Sequence, residues 1–183
     1  MKKLLVLALL AFSTGVHAQL KNMKELIEWG QMPYNKLESI LKKSYWKKIE
    51  EGKMDSFTYI RWIPENMNEK NMGENVMPFV RKRDKPVNYI VFQTINKPLY
   101  ETFLAEIKKS GFEFRNSENK PDKKTDFYAR GMIGVSIIVG KEKPEAPLSY
   151  IFGVKMLEGV PMDPKQLGPK KLAPAPPPAK KKK

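Results

Sequence analysis

The chain of 183 residues contains no cysteine, a single histidine at position 17, and a formal net charge of +14. Disulfide staples, thiolate nucleophiles and soft metal sites are therefore excluded, and imidazole chemistry depends on whether His17 stays in the working protein. What remains is carboxylates, amines, hydroxyls and aromatic rings, a set better suited to binding than to turnover.

Residues 1–18 have the three parts of a cleavable export signal: Lys2 and Lys3, nine apolar residues from 4 to 12, and Val16-His17-Ala18 with a small residue at the cut. Nine apolar residues fall well short of the roughly 20 that span a bilayer as a helix, so the segment reads as a leader and not an anchor. A mature chain starting at Gln19 loses His17, has no cysteine for lipid attachment, and contains no later apolar run of spanning length. The short signal ending in Ala18-Gln19 is similar to those of exported Bacteroidota proteins. That resemblance implies a periplasmic or secreted location and carries no functional residue.

In the body, residues 20–29 have Met23, Leu26 and Ile27 at helical spacing, with Gly30 as a stop. A second helix begins at Pro33, suited to a first helical position, and carries Leu37, Ile40 and Leu41 on one side. Residues 57–63 alternate as a strand, 77–83 form another, and 87–94, apolar on both faces from Val87 to Phe92, read as a central strand. Pro98 opens a third helix with Leu99, Phe103, Leu104 and Ile107 on one face, closed near Gly111. After a polar stretch at 116–124, residues 126–130, 133–139 and 149–157 read as strands, the last two rich in Val, Ile, Tyr and Phe.

Residues 19–166 thus form a single α+β domain, roughly 150 residues, long enough to bury a substantial core without disulfides. Residues 167–183 are different in kind. Of the +12 left after Lys2 and Lys3 are removed, six charges lie on Lys170, Lys171, Lys180, Lys181, Lys182 and Lys183. Between them runs Leu172-Ala173-Pro174-Ala175-Pro176-Pro177-Pro178-Ala179, which has little to bury and a polyproline II bias, so a disordered, stiff tail is expected. Extended at about 3.1 Å per residue it reaches roughly 50 Å. The four terminal lysines either touch an anionic envelope surface, at about 1 kcal/mol per lysine, or simply solubilise the chain. Export makes nucleic acid an unlikely partner, and the body has no clustered arginine and aromatic surface of the kind that binds it.

Two segments, 31–94 and 97–157, repeat a helix-then-strands order and align identical residues: Tyr34 with Tyr100, Lys42-Lys43-Ser44 with Lys108-Lys109-Ser110, Tyr59-x-Arg61 with Tyr128-x-Arg130, and Tyr89-Ile90 with Tyr150-Ile151. An internal duplication would give two α-β-β-β units joined in one mainly antiparallel sheet of about six strands, helices on one face. Shared periodicity alone is the competing explanation. In order of elements this plan is similar to the tandem-repeat β-lactamase inhibitor proteins, which present an open sheet face to a partner enzyme. No motif of that family is present, so the likeness transfers no residues.

If Ile60, Trp62 and Phe127 face the helices, Tyr59, Arg61, Tyr128 and Arg130 all project from the uncovered sheet face, and Tyr and Arg are favoured interface residues. The bland reading is that each arginine stacks on its tyrosine and solubilises an open sheet. Catalysis would need a pair of carboxylates from Glu50, Glu51, Asp55, Glu113, Asp122 and Asp126, all in lysine-rich polar stretches where solvated loop charges are the ordinary reading. No serine has a Gly-x-Ser-x-Gly context, and Gly131-x-x-Gly134 has no following Lys-Ser or Lys-Thr to make a phosphate loop. No cofactor or metal site is expected. The functional expectation is a non-enzymatic periplasmic module that binds an envelope protein, with the basic tail as a tether. The alternatives are a carboxylate-dependent hydrolase acting on polysaccharide or peptidoglycan, and a small-ligand carrier with a closed pocket between helices and sheet.

Overall fold

A computed structural model describes residues 20–54, 56–67, 73–81 and 85–156. The signal segment with His17, the carboxylate of Asp55, and the tail with Lys180, Lys181, Lys182 and Lys183 lie outside the described residues. The elements run α1 (Met23–Gln31), α2 (Tyr34–Lys43), β1 (Trp46–Met54), β2 (Phe57–Pro64), β3 (Glu74–Val80), β4 (Tyr89–Thr94), α3 (Lys97–Lys109), β5 (Glu113–Lys120), β6 (Lys123–Arg130), β7 (Ile133–Gly140) and β8 (Ser149–Met156). The strands make one antiparallel sheet in the order β1-β2-β3-β4-β8-β7-β6-β5.

This is an α+β fold, but with eight strands and not six, and a helix is followed each time by four strands and not three. The two additional strands are β1 and β5, the edges of the sheet. Their sequences, Trp-Lys-Lys-Ile-Glu-Glu-Gly-Lys-Met and Glu-Phe-Arg-Asn-Ser-Glu-Asn-Lys, carry almost no apolar alternation, and every residue of β5 is exposed. An edge strand pairs on one side only, so the backbone ladder forms it without an apolar stripe. Register shifts between Lys48 and Glu50 and between Phe114 and Asn116, together with the charges, blunt both edges against pairing with another chain.

Helix boundaries follow local chemistry. The Asn22 side chain accepts from Glu25 N at 2.8 Å, and Glu25 Oε2 accepts from Lys21 N at 3.0 Å, a reciprocal cap on α1. Glu106 of α3 adds a third acceptor, taking the Met23 amide at 2.7 Å and tying the two helices together. Asn96 caps α3 through Leu99 N. Helices α2 and α3 both end in Lys-Lys-Ser, and the next residue adopts a positive φ in each: Gly111 at 76°, and Tyr45 at 61° where glycine is the ordinary choice.

All three helices lie on one face. There Phe103 of α3 packs against Phe92 and Phe152 of the central strands, with ring centroids 5.7 and 5.1 Å apart. Leu26, Leu37, Leu41, Trp62, Phe92, Phe103 and Phe152 are all essentially inaccessible to solvent. Each such side chain contributes about 1.5–3 kcal/mol relative to exposure.

Candidate functional site: the uncovered sheet face

Directly paired residues of an antiparallel sheet share a face, so the registers place every side chain. From Thr58↔Val80, Pro78↔Ile90, Ile90↔Val154, Val135↔Val154 and Tyr128↔Val135, the covered face includes Ile60, Trp62, Val76, Ile90, Val154, Val135 and Tyr128. From Tyr59↔Phe79, Phe79↔Tyr89, Tyr89↔Lys155 and Gly134↔Lys155, the uncovered face includes Tyr59, Phe79, Tyr89, Lys155 and Gly134.

The four residues expected to share one surface are therefore divided. Tyr59 and Arg61 project from the uncovered face, whereas Tyr128 and Arg130 lie on the helix side. Ile60 and Trp62 do face the helices, but Phe127 does not: it pairs with Ser136 on the open side. The aligned Tyr-x-Arg motifs are thus one residue out of phase in three dimensions, which a period of two converts into opposite faces. Tyr128 is only 8% exposed and packs edge-on against Phe114 at 5.6 Å. Arg130 donates from Nη1 to the Ser110 carbonyl at 2.6 Å and lies 4.8 Å over the Phe112 ring. It thereby closes the C-terminal end of α3, and partial burial lowers the pKa of its guanidinium.

On the open face, Tyr59 donates to Glu50 Oε1 at 2.7 Å, and Glu50 lies 3.7 Å from Arg61 Nη1. That hydrogen bond, followed by the negative charge of Glu50, raises the Tyr59 pKa. Next to Tyr59 the rings of Phe79 and Tyr89 continue a ladder across β2, β3 and β4, with centroids 6.2 and 5.3 Å apart. Beyond Tyr89 the side chains shrink to Gly153 on β8 and Gly134 and Ser136 on β7, and they rise again at Phe127 on β6. The result is a mainly apolar trough of about 650 Å³, with Met54 and Phe57 at one margin and Lys155 beside it. Tyr89 leans over Gly153, where a β-carbon would come within 2.6 Å of its hydroxyl; above Gly134 there is open space. Burial raises the Tyr89 pKa, and a hydrogen bond with Ser136 opposes that shift.

The other end of the same face holds a more polar cleft of about 820 Å³, lined among others by Arg61, Asn75, Gln93, Asp122, Lys123 and Glu142. Asn75 Nδ2 donates to Gln93 Oε1 at 3.1 Å. Among the described carboxylates, Glu50 and Asp126 lie on opposite faces of the sheet. Glu50 faces the open side and is committed to Tyr59 and Arg61. Asp126 faces the helix side and accepts from Ser117 at 2.7 Å and from Lys124 at 3.0 Å. Asp122 and Glu142 are exposed, beside Lys123 and Lys141. Among the described residues no cluster of three or more His, Asp or Glu could hold a metal ion, and no helix is long and apolar enough to cross a membrane.

Sequence reading found Tyr59 and Arg61 but not Phe79, Tyr89 or Phe127 as surface residues. Strand alternation could have grouped Phe79 with Met77; only the cross-strand register shows that Tyr59, Phe79 and Tyr89 are neighbours. No protein-family model, curated protein or solved structure matches this chain.

Proposed function

We propose that the protein is an exported, non-enzymatic binding module of the cell envelope whose uncovered sheet face receives an extended apolar segment of an envelope protein. The observation that carries this reading is the trough between the Tyr59–Phe79–Tyr89 ladder and Phe127. It puts contiguous aromatic surface on a sheet face that no helix among the described residues covers, and aromatic rings give large contact area at low entropy cost. The split positions of the carboxylates favour binding over hydrolysis. The periplasmic or secreted setting rests on the signal-like residues 1–18, and Lys180, Lys181, Lys182 and Lys183 supply a salt-sensitive contact with anionic envelope surface.

The test compares two sets of alanine substitutions in the full chain, both checked for unchanged unfolding midpoints. Tyr59→Ala, Phe79→Ala and Tyr89→Ala together should abolish specific cross-linking to an envelope protein, while Phe114→Ala, at an exposed ring on the helix side, should leave it intact. Equal cross-linking in both would overturn the assignment of the surface. Replacing the four terminal lysines with serine should remove only the part of envelope attachment that weakens as salt rises.

A further inference from the structure

We infer that the trough takes a polyproline II segment, and that its occupant in the free protein is this chain's own C-terminal segment 172–179. The inference rests on the reading of the uncovered face as the binding surface and names the chemistry that fits it.

Three observations converge. First, a row of aromatic rings beside a shallow floor is what a polyproline II helix binds, because its backbone makes no internal hydrogen bonds and its proline edges pack on aromatic faces. Phe79 and Tyr89, which line the trough with centroids 5.3 Å apart, cover a little more than half of one turn of such a helix, about 9 Å at three residues per turn, and Tyr59, outside the lining, continues the row 6.2 Å further. Second, the chain carries the matching ligand. In Pro174-Ala175-Pro176-Pro177-Pro178, the three-residue repeat sets Pro174 and Pro177 on one ridge and Ala175 and Pro178 on the next, the proline-x-x-proline spacing.

Third, connectivity brings the two together. Strand β8 ends at Met156, and Lys155, the residue before it, lines the trough. From Met156 to Pro174 the chain has eighteen residues, an average end-to-end span of roughly 23 Å if flexible, ample for return to a site that begins where the strand stops. Tethering at that distance gives an effective concentration on the order of millimolar, so even a weak proline-rich contact is populated. The floor is open where the segment would lie: nothing approaches within 4 Å of the position a Gly134 β-carbon would take. Docking in this way shields the aromatic face until a competing segment displaces the tail. It leaves the four terminal lysines beyond the contact.

Because the chain has no cysteine, one nitroxide can be attached to the full chain through Ala179→Cys and read by nuclear magnetic resonance. The Gly134 and Ser136 amides should lose intensity, while those of Glu38 and Lys42 on α2, across the sheet, keep theirs. The loss should disappear when Pro174, Pro176, Pro177 and Pro178 are replaced with glycine, and again with Tyr89→Ala. In mixtures of spin-labelled unenriched chain and unlabelled nitrogen-15 chain it should be absent; intensity loss there would assign the tail to a second copy and overturn the intramolecular contact. A uniform loss, or none, would overturn the docking itself. A synthetic peptide of residues 170–183 added to the proline-to-glycine chain should shift Gly134 and Gly153, and no shift would rule out polyproline recognition. If these tests fail but cross-linking to an envelope protein still depends on Tyr59, Phe79 and Tyr89, the binding surface stands and only its occupant is wrong.

Discussion

Gly153 and Gly134 occupy neighbouring strands of the same face, neither has a positive φ, and the same substitution should move them in opposite directions. Replacing a glycine in extended backbone with alanine lowers the entropy of the unfolded chain and stabilises by about 0.4–1 kcal/mol where the methyl fits. At Gly134 it fits, since the β-carbon meets open space, so Gly134→Ala should gain about that amount. At Gly153 the β-carbon comes within 2.6 Å of both Ser136 Oγ and the Tyr89 hydroxyl, and 3.1 Å from Tyr89 Cε2. The serine can rotate away, but the tyrosine ring is held against Phe79. Overpacking of this kind costs about 1–3 kcal/mol, which leaves Gly153→Ala less stable than the parent by about 1 kcal/mol. Urea unfolding followed by circular dichroism resolves the pair: with slopes of about 1–3 kcal/mol per molar, the midpoints should separate by about 1 M. Adding Tyr89→Phe removes the closest ring contact and should recover about 1 kcal/mol in the Gly153→Ala background only. Equal midpoints for the two alanine variants would refute the position of Tyr89 over Gly153, and with it the shape of the trough.

Two further outcomes follow from local geometry. Tyr45 holds a left-handed backbone that costs a non-glycine residue about 1–2 kcal/mol, and its side chain is half exposed, so Tyr45→Gly should be neutral or stabilising by up to about 1 kcal/mol in the same urea assay. A loss above that would mean the ring contributes packing there. The Tyr89 phenol, raised by burial above its ordinary value of 10.0, binds its proton more tightly folded than unfolded. Its contribution is fully present below pH 10 and is lost as pH rises through the higher folded value. Tyr89→Phe should therefore flatten part of the stability decline above pH 10, and an unchanged decline would remove Tyr89 as a contributor.

Much of the fold was legible because burial writes a period into the sequence. The three helices, and the strands β2, β4, β7 and β8, each carry apolar residues at the spacing their packing requires. Strands β1 and β5 left no such mark, because an edge is held by the backbone ladder and exposes charged side chains. The division of the Tyr-x-Arg pairs was equally hidden: alternation says that Tyr128 and Arg130 share a face, but not which face, and Phe127 and Tyr128 are both aromatic enough to be the core residue.

Composition and local pattern alone determined the absence of thiol chemistry, the confinement of imidazole to His17, the α+β class, and the proline- and lysine-rich character of the last residues. These depend on residue type and near-neighbour spacing, which the linear chain states directly. The tertiary structure decided which rings meet. Tyr59, Phe79, Tyr89 and Phe127 come from four strands and are joined only by cross-strand register, where a shift of one residue moves a side chain from the solvent face to the core. The aromatic face exists at that level, because a ladder of rings across a sheet is a property of pairing between distant segments and of no single stretch of sequence.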